Sequence, residues 1–427
     1  MSIRSSLAQQ TVPATAGLEA NGLREAFAEA AQAPAVGQTW PGWEPGEFQV
    51  HFIYTGVCES MFYIFPDGTS MLLDCGDHPA CNRGELAVPI LPDQSRHAGE
   101  WIARYVARVN PNQQDVDYMM VSHFHADHTG GETWHAGETS GRGEDYYLSG
   151  FAQAAETLHF GTCVDRGWPD YDDPIPLAGP ELDNMRKLYA WLQKKGDVRF
   201  EKFRVGELDQ IAMKRDGARY ADAFGIRNVC GNGRIALVDG GIRDLYAGFE
   251  GQWLNENAMS LGMVMNYGPF RFFTGGDFSD EAPALQGRPR VEIENELGPQ
   301  VGPVDVCKIN HHGHNSMPEG FVKAVRARVY VGCVWDQLHN LDPVMARLGD
   351  PDLYPGERLV CPGIMPAERR AVDSGKPWMA TVPPAAYEGG HVVLNVTNGG
   401  ERYSITYLSA ADESMQIRAV HHFETRR

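Results

Sequence analysis

The segment VDYMMVSHFHADHTGG (116–131) constrains this chain more than any other. Its apolar run reads as a buried strand, and His123, His125, Asp127 and His128 follow it within six residues. His123 and His125 alternate, so on extended backbone they point the same way. Asp127 and His128 come where the chain turns into Thr129-Gly130-Gly131, so they face a neighbouring point. Two imidazoles for one ion, with a carboxylate and an imidazole for a second, form the donor set of a dinuclear site. Such donors suit zinc first, and also manganese or iron. With 15 histidines in 427 residues, a chance scatter of surface histidines does not give this density.

The surrounding pattern predicts strands and helices in two similar series. In the first, FQVHFIYTG (48–56) and SMFYIFPDGTSMLLDCGD (60–77) read as strands turning at Pro66-Asp67-Gly68. Ser95 is placed to cap a helix whose apolar face is Trp101, Ile102, Tyr105, Val106 and Val109. LHFGTCVD (158–165) is a strand, WPDYDDPIPLAGP (168–180) a loop and ELDNMRKLYAWLQKK (181–195) a helix. In the second series, RIALVDG (234–240), MSLGMVMNYG (259–268) and FRFFTGGD (270–277) form a meander ending at Asp277. VDVCKINHHG (304–313) is a strand ending at His311 and His312, followed by a helix (318–326) and a strand (328–335). The terminal HVVLNVTNGGERYSITYLS is a hairpin, with Asn398-Gly399 as its turn. Two β-rich halves facing each other with helices outside make an α/β, four-layer αββα sandwich. Residues 1–46 read as an N-terminal arm with a short helix (22–33) and a Pro/Gly linker, and 47–427 as the main domain. Insertions at about 131–150, 166–233 and 342–390 are expected to shape a substrate pocket.

Composition narrows the setting. Hydrophobic residues are 43% and charged residues 22%, which excludes a disordered chain. No apolar stretch approaches the roughly 18 residues of a membrane span, and MSIRSSLAQQTVPATAG lacks the apolar core of a secretory signal. The eight cysteines are scattered without a CxxC, which reads as reduced thiols in a cytoplasmic enzyme. A net charge of −19 argues against a broad surface for extended nucleic acid.

HxHxDH after a strand resembles the metallo-β-lactamase superfamily of metallohydrolases. The order of further motifs resembles the soluble ComEC-like hydrolase subgroup. These are the strand–Gly–strand–PDG–strand unit ending in Asp74-Cys75-Gly76, CVDRG (163–167), NAMS before LGMVMNYGPFRFFTGGD, and KINHHGHNS. The resemblance runs from about residue 48 to 335. It implies a bridging carboxylate from Asp277 and a ligand from the histidine pair. By similarity His311 is the ligand, and His312 then supports it or touches the substrate as a catalytic group. Asp74 is expected to tie the metal-binding loop through hydrogen bonds. His314 stands where the subgroup has a serine, with Ser316 or Asn315 as replacements. No histidine lies between 160 and 310, so the middle ligand falls to Asp165, with His159 and His135 the other residues nearby. Asp165 reads equally well as a carboxylate capping the turn at Arg166-Gly167. Lys308 either offsets ligand charge or pairs with a phosphate. Asn257 and Ser260 either orient the metal loop or start a strand.

The chemistry expected of such a site is metal-assisted hydrolysis. Two divalent ions about 3.5–4 Å apart would hold a bridging hydroxide, and Asp127 would orient it or handle its proton. The subgroup resemblance implies a phosphodiester or other small-molecule substrate and a nuclease-like phosphoesterase. Ester, lactone or thioester hydrolysis on the same ions is the alternative, and a catalytically silent binding module is another.

Overall fold

Strands alternate between two packing surfaces, and that alternation builds the layers. The computed structural model describes residues 35–426 apart from 78–87, 89, 132–137, 143–144, 197, 249–254 and 280–290. The arm helix expected at 22–33, together with Cys81 and His135, lies outside the described residues.

Six strands of the first half belong to one sheet: β1 (Phe48–Phe52), β2 (Ser60–Ile64), β3 (Ser70–Cys75), β4 (Asp115–Met120), β5 (His159–Asp165) and β6 (Arg199–Lys202). The next eight form a second sheet: β7 (Phe224–Gly231), β8 (Arg234–Ala236), β9 (Ile242–Asp244), β10 (Gly262–Tyr267), β11 (Phe270–Gly275), β12 (Val306–Lys308), β13 (Val329–Gly332) and β14 (Leu359–Pro362). The chain then returns to the first sheet with β15 (Gly390–Thr397), β16 (Arg402–Ser409) and β17 (Ile417–Glu424), where β15 pairs with β1. The nine-stranded order is β17-β16-β15-β1-β2-β3-β4-β5-β6, and the eight-stranded order is β14-β13-β12-β11-β10-β7-β8-β9. Each sheet has a parallel half, β3 to β6 in one and β11 to β14 in the other.

Between the sheets, Phe48, Val50, Phe52, Met61 and Tyr63 meet Phe224, Met263, Met265 and Phe272 in one buried core. Phe48 lies 5.2 Å from Phe224 and Phe52 6.3 Å from Phe272. On the outer face of the first sheet, Phe62, Ile64 and Leu72 pack against α1 (Ala98–Val109) and α2 (Pro180–Lys195). Outside the second sheet lie α3 (Ile293–Val301), α4 (Glu319–Val325) and α5 (Asp342–Gly349), with Phe273 and Phe321 5.5 Å apart. The result is a four-layer αββα sandwich, the α/β architecture expected from the sequence.

Two local expectations change. α1 begins at Ala98 with His97, not Ser95, at the cap position, because Ser95 N–H is held by Asp93 Oδ1 in a turn of its own. Residues 37–40, read as linker, pair with the start of β17 through Gly37 N–H to Ile417 O and Trp40 N–H to Met415 O. The seven described cysteines are all free and buried. Among the described residues no helix is long and apolar enough to cross a membrane.

The outer face of the first sheet also buries two neutral histidines. His51 bonds to the Tyr105 hydroxyl and to Gln49 Oε1, each at 3.0 Å, and His391 Nδ1 accepts from Tyr54 N–H. Burial pushes both down to about 3. An unfolded histidine takes a proton near pH 6.5, so below that pH the unfolded chain binds more protons and stability falls. The pair is expected to lower stability by about 5 kcal/mol at about pH 4.5, with no effect above pH 7. Denaturant unfolding across pH checks this, and His51→Gln with His391→Gln should flatten the acid limb. An unchanged slope would assign acid sensitivity elsewhere.

Candidate metal centre

The parallel halves of the two sheets aim the carboxyl ends of their strands at one place, where open α/β sheets gather functional groups. β3 ends beside Asp74, β4 leads into His123, β11 into Asp277, β12 into His312, and β13 into Trp335. The turn bearing Asp127 and His128 is fastened to the strand ends by Glu59 N–H to Asp127 O and Asp77 N–H to Ala126 O. This approach demands glycine at position 76. A Cβ there would lie 1.8 Å from Asp127 O and 2.7 Å from His128 N. Gly76→Ala is therefore expected to cost roughly 1–3 kcal/mol of stability and to weaken metal uptake at least about tenfold. Metal titration and urea unfolding of the variant check both effects.

Three histidines have their outer nitrogen fixed, and this decides what their inner nitrogen can do. Asp74, with φ +58°, accepts from Ser122 N–H, from Ser122 Oγ and, at 2.8 Å, from His128 Nδ1. Ser122 Oγ in turn lies 3.1 Å from His123 Nδ1. His312 Nδ1 donates to Cys333 O at 3.1 Å, with Glu59 Oε2 3.4 Å away. Each ring therefore directs Nε2 inward. His128 Nε2 lies 3.1 Å from Asp277 Oδ2, and His312 Nε2 lies 3.0 Å from both Asp277 Oδ2 and Asp127 Oδ2. His123 Nε2 is 3.1 Å from His125 Nδ1. Asp74 thus has the loop-tying role expected of it.

Lone pairs facing carboxylate oxygens at this range require a positive charge between them. Burial disfavours the charge, yet Asp277, Asp127 and Glu59 hold His312 up at about 10, and three aspartates hold His128 well above the usual imidazole range. Burial works against ionised carboxylates too, but His128 and His312 keep Asp127 and Asp277 well below theirs. Burial and the neighbouring histidines hold His123 well below. A proton or a divalent cation meets this demand. Donors about 2.1 Å from a tetrahedral zinc stand about 3.4 Å apart, close to the 3.0–3.6 Å separations among His128, Asp127, Asp277 and His312. Asp277 Oδ1 is buried with no hydrogen-bond partner. The residues fit a divalent metal, and Glu59, His128, Asp277 and His312 can bring ligand atoms within 4.8 Å of one another.

The structure brings His123, His125, Asp127, His128, Asp277 and His312 together. It corrects the choice within the histidine pair. Both residues adopt left-handed backbone, φ 47° and 52°, and this turn sends His312 to the carboxylates and His311 to Asn257, 3.3 Å away. Asp165 is corrected as well. Its Oδ1 accepts from Gly167 N–H and Trp168 N–H, and its Oδ2 from the Tyr171 hydroxyl, so the carboxylate caps the turn. His159 starts β5, at the opposite end from the site, and is paired with Asp115.

Lys308 is fully buried, 2.7 Å from Glu59 Oε1 and 3.9 Å from Asp277 Oδ1, so its charge offsets that of the two carboxylates. Ser260 Oγ accepts from Asp277 N–H, and the Ser316 hydroxyl is used on Asn310 O. Asp173, in the loop read as solvated, pairs with Lys202 and Arg234.

Several contributors carry no signal in the sequence. Glu59 precedes an apolar strand with no motif around it. Glu256, held by Arg166 at 2.5 and 2.7 Å, accepts from Phe124 N–H between the two leading histidines. Trp335 donates its indole N–H to Asp127 Oδ2 at 3.1 Å, and His339 stacks on His312.

No family model matches the sequence, and no curated protein sequence matches it. Among solved structures, a mutant of the CmlA beta-hydroxylase aligns over 79% of this chain, at 11% identity and a TM-score of 0.36. The alignment spans 56% of that structure's chain, little more than half its length.

Proposed function

We propose that this chain is a dinuclear metal-dependent hydrolase and that a phosphodiester is its preferred substrate. The observation that carries the reading is the meeting of His123, His125, Asp127 and His128 from one sheet with Asp277 and His312 from the other. His123, His125, His128 and His312 would hold the ions, together with the carboxylate of Asp277. Zinc fits these donors best, ahead of manganese or iron. When bound, the ions would supply Lewis acidity and water activation near neutral pH. Asp127 Oδ2, fixed by the Trp335 indole N–H, is the carboxylate placed to accept a proton at the centre. The two outer carboxylates, Asp74 and Glu59, keep the rings of His128 and His312 in register.

The phosphodiester preference rests on the ComEC-like order of motifs, and the net charge of −19 favours a small diester over a long duplex. The burial of Lys308 favours a second reading, hydrolysis of an ester, lactone or thioester, because it withdraws the cation that would greet a phosphate. Purification without chelator, metal counting and parallel assays of bis(p-nitrophenyl) phosphate, a p-nitrophenyl ester and a lactone separate the readings. About two ions per chain and metal-dependent diester cleavage, lost in His125→Ala, are expected. Ester or lactone turnover alone would move the assignment to the second reading. A chain with neither metal nor turnover would be a silent module.

A further inference from the structure

We propose that His339 is a substrate-contacting donor at this centre and that the group it takes is a tetrahedral oxyanion of the phosphate type. The proposal rests on the metal-dependent reading above and names the side of the site that would receive the anion.

The segment after β13 folds back on the histidine pair. Asn340 N–H donates to His312 O, and Leu341 N–H to Gly313 O at 2.9 Å. This lays the His339 ring flat on His312, with centroids 4.7 Å apart and planes 14° from parallel, and sets it edge-on to Trp335 at 4.7 Å. Trp335 N–H donates to His339 Nδ1 at 3.3 Å. An Nδ1 that accepts puts the ring proton of a neutral imidazole on Nε2. Nε2 has no partner among the described residues, and His339 keeps 7% of its surface exposed.

Asp127 and Asp277 turn carboxylate oxygens to the centre, and Asp74 and Glu59 stand behind the rings of His128 and His312. An oxyanion approaching them is repelled. In the segment from Trp335 to Leu341 the backbone N–H groups of Trp335, Leu338, His339, Asn340 and Leu341 are taken within the protein. Trp335 already gives its indole proton to Asp127. His339 Nε2 is therefore a donor of this segment set beside the centre by its stack on His312, and a preorganised N–H aimed at developing negative charge is the arrangement that stabilises it.

The test compares His339→Gln, which keeps an N–H donor, with His339→Met, close in shape but without one. The full chain is loaded with zinc, and inorganic phosphate is titrated calorimetrically. The Met variant is expected to bind phosphate about ten- to a hundredfold more weakly than the Gln variant, at equal zinc content. Equal affinities overturn the proposal. So does a zinc-loaded wild type that takes no phosphate, which leaves the metal reading standing. A wild type that takes up no zinc overturns the metal reading itself. Both variants lose the stacked ring, so a structural effect of that loss is common to both and cancels in the comparison.

Discussion

Asp277→Asn is expected to reduce the metal content below one ion per chain and to lower diester hydrolysis by at least about a thousandfold. The side chain is the same size, so the reason is chemical. Asp277 Oδ2 is the oxygen that His128 Nε2 and His312 Nε2 both face, at 3.1 and 3.0 Å. An amide has no charge to offer two ions, and its NH2 end competes with them for the same lone pairs. Ser260 Oγ, which accepts from residue 277 N–H, is untouched, so the backbone stays in place. Metal analysis and circular dichroism of the purified variant decide the matter. A folded Asn variant that retains about two ions would remove Asp277 from the centre.

The second large effect concerns Lys308. Its ammonium and the Glu59 carboxylate are both fully buried and 2.7 Å apart. Burial opposes either charge, but Glu59 and Asp277 hold Lys308 above the usual lysine range, while burial raises Glu59. Removing one partner of such a pair strands the other. Lys308→Met is expected to destabilise the metal-free chain by about 3–5 kcal/mol, whereas Lys308→Met with Glu59→Gln should recover most of it. Urea unfolding after chelation measures both. A double variant as weak as the single one would show that the pair is not the source of the loss. Because Glu59 also faces His312 Nδ1, the double variant is expected to bind metal about 10–100-fold more weakly even where its stability returns.

The sequence was most readable where chemistry is local. His123, His125, Asp127 and His128 sit on one turn, so their spacing alone predicts convergence. Asp277 and the histidine pair were legible as strand ends. The choice between His311 and His312 was not, because two successive left-handed residues reverse the alternation that strand reasoning relies on. Asp165 looked like a ligand from its place at a strand end, yet a tight turn two residues later claims its oxygens. Glu59 meets Lys308, and Trp335 meets Asp127, across more than 200 residues, and no local spacing encodes such contacts. The same limit applies to the fold. Most of the central strands with continuous apolar runs were predicted, whereas β6 (RFEK), β7 (FGIRNVCG), β9 (IRD), β14 (LVCP) and β17 (IRAVHHFE) were missed. β6, β9, β14 and β17 are the four edges of the two sheets and are short or largely half-exposed, whereas β7 is internal and its apolar run is broken by Arg227 and Asn228.

The centre draws its side chains from both sheets, and the closest contact between Asp127 and His312 spans 185 positions of chain. An ion held there would act as a rivet across the seam of the sandwich. Ligand that binds only the closed form stabilises it by about 2.7 kcal/mol at a hundred times its dissociation constant. Metal supply would then govern how long the protein survives, besides whether it works. Limited proteolysis with and without chelator reads this directly, and the expected sign is faster cleavage when the ion is withdrawn. In a cell short of metal, such a chain would be cleared and not merely idle.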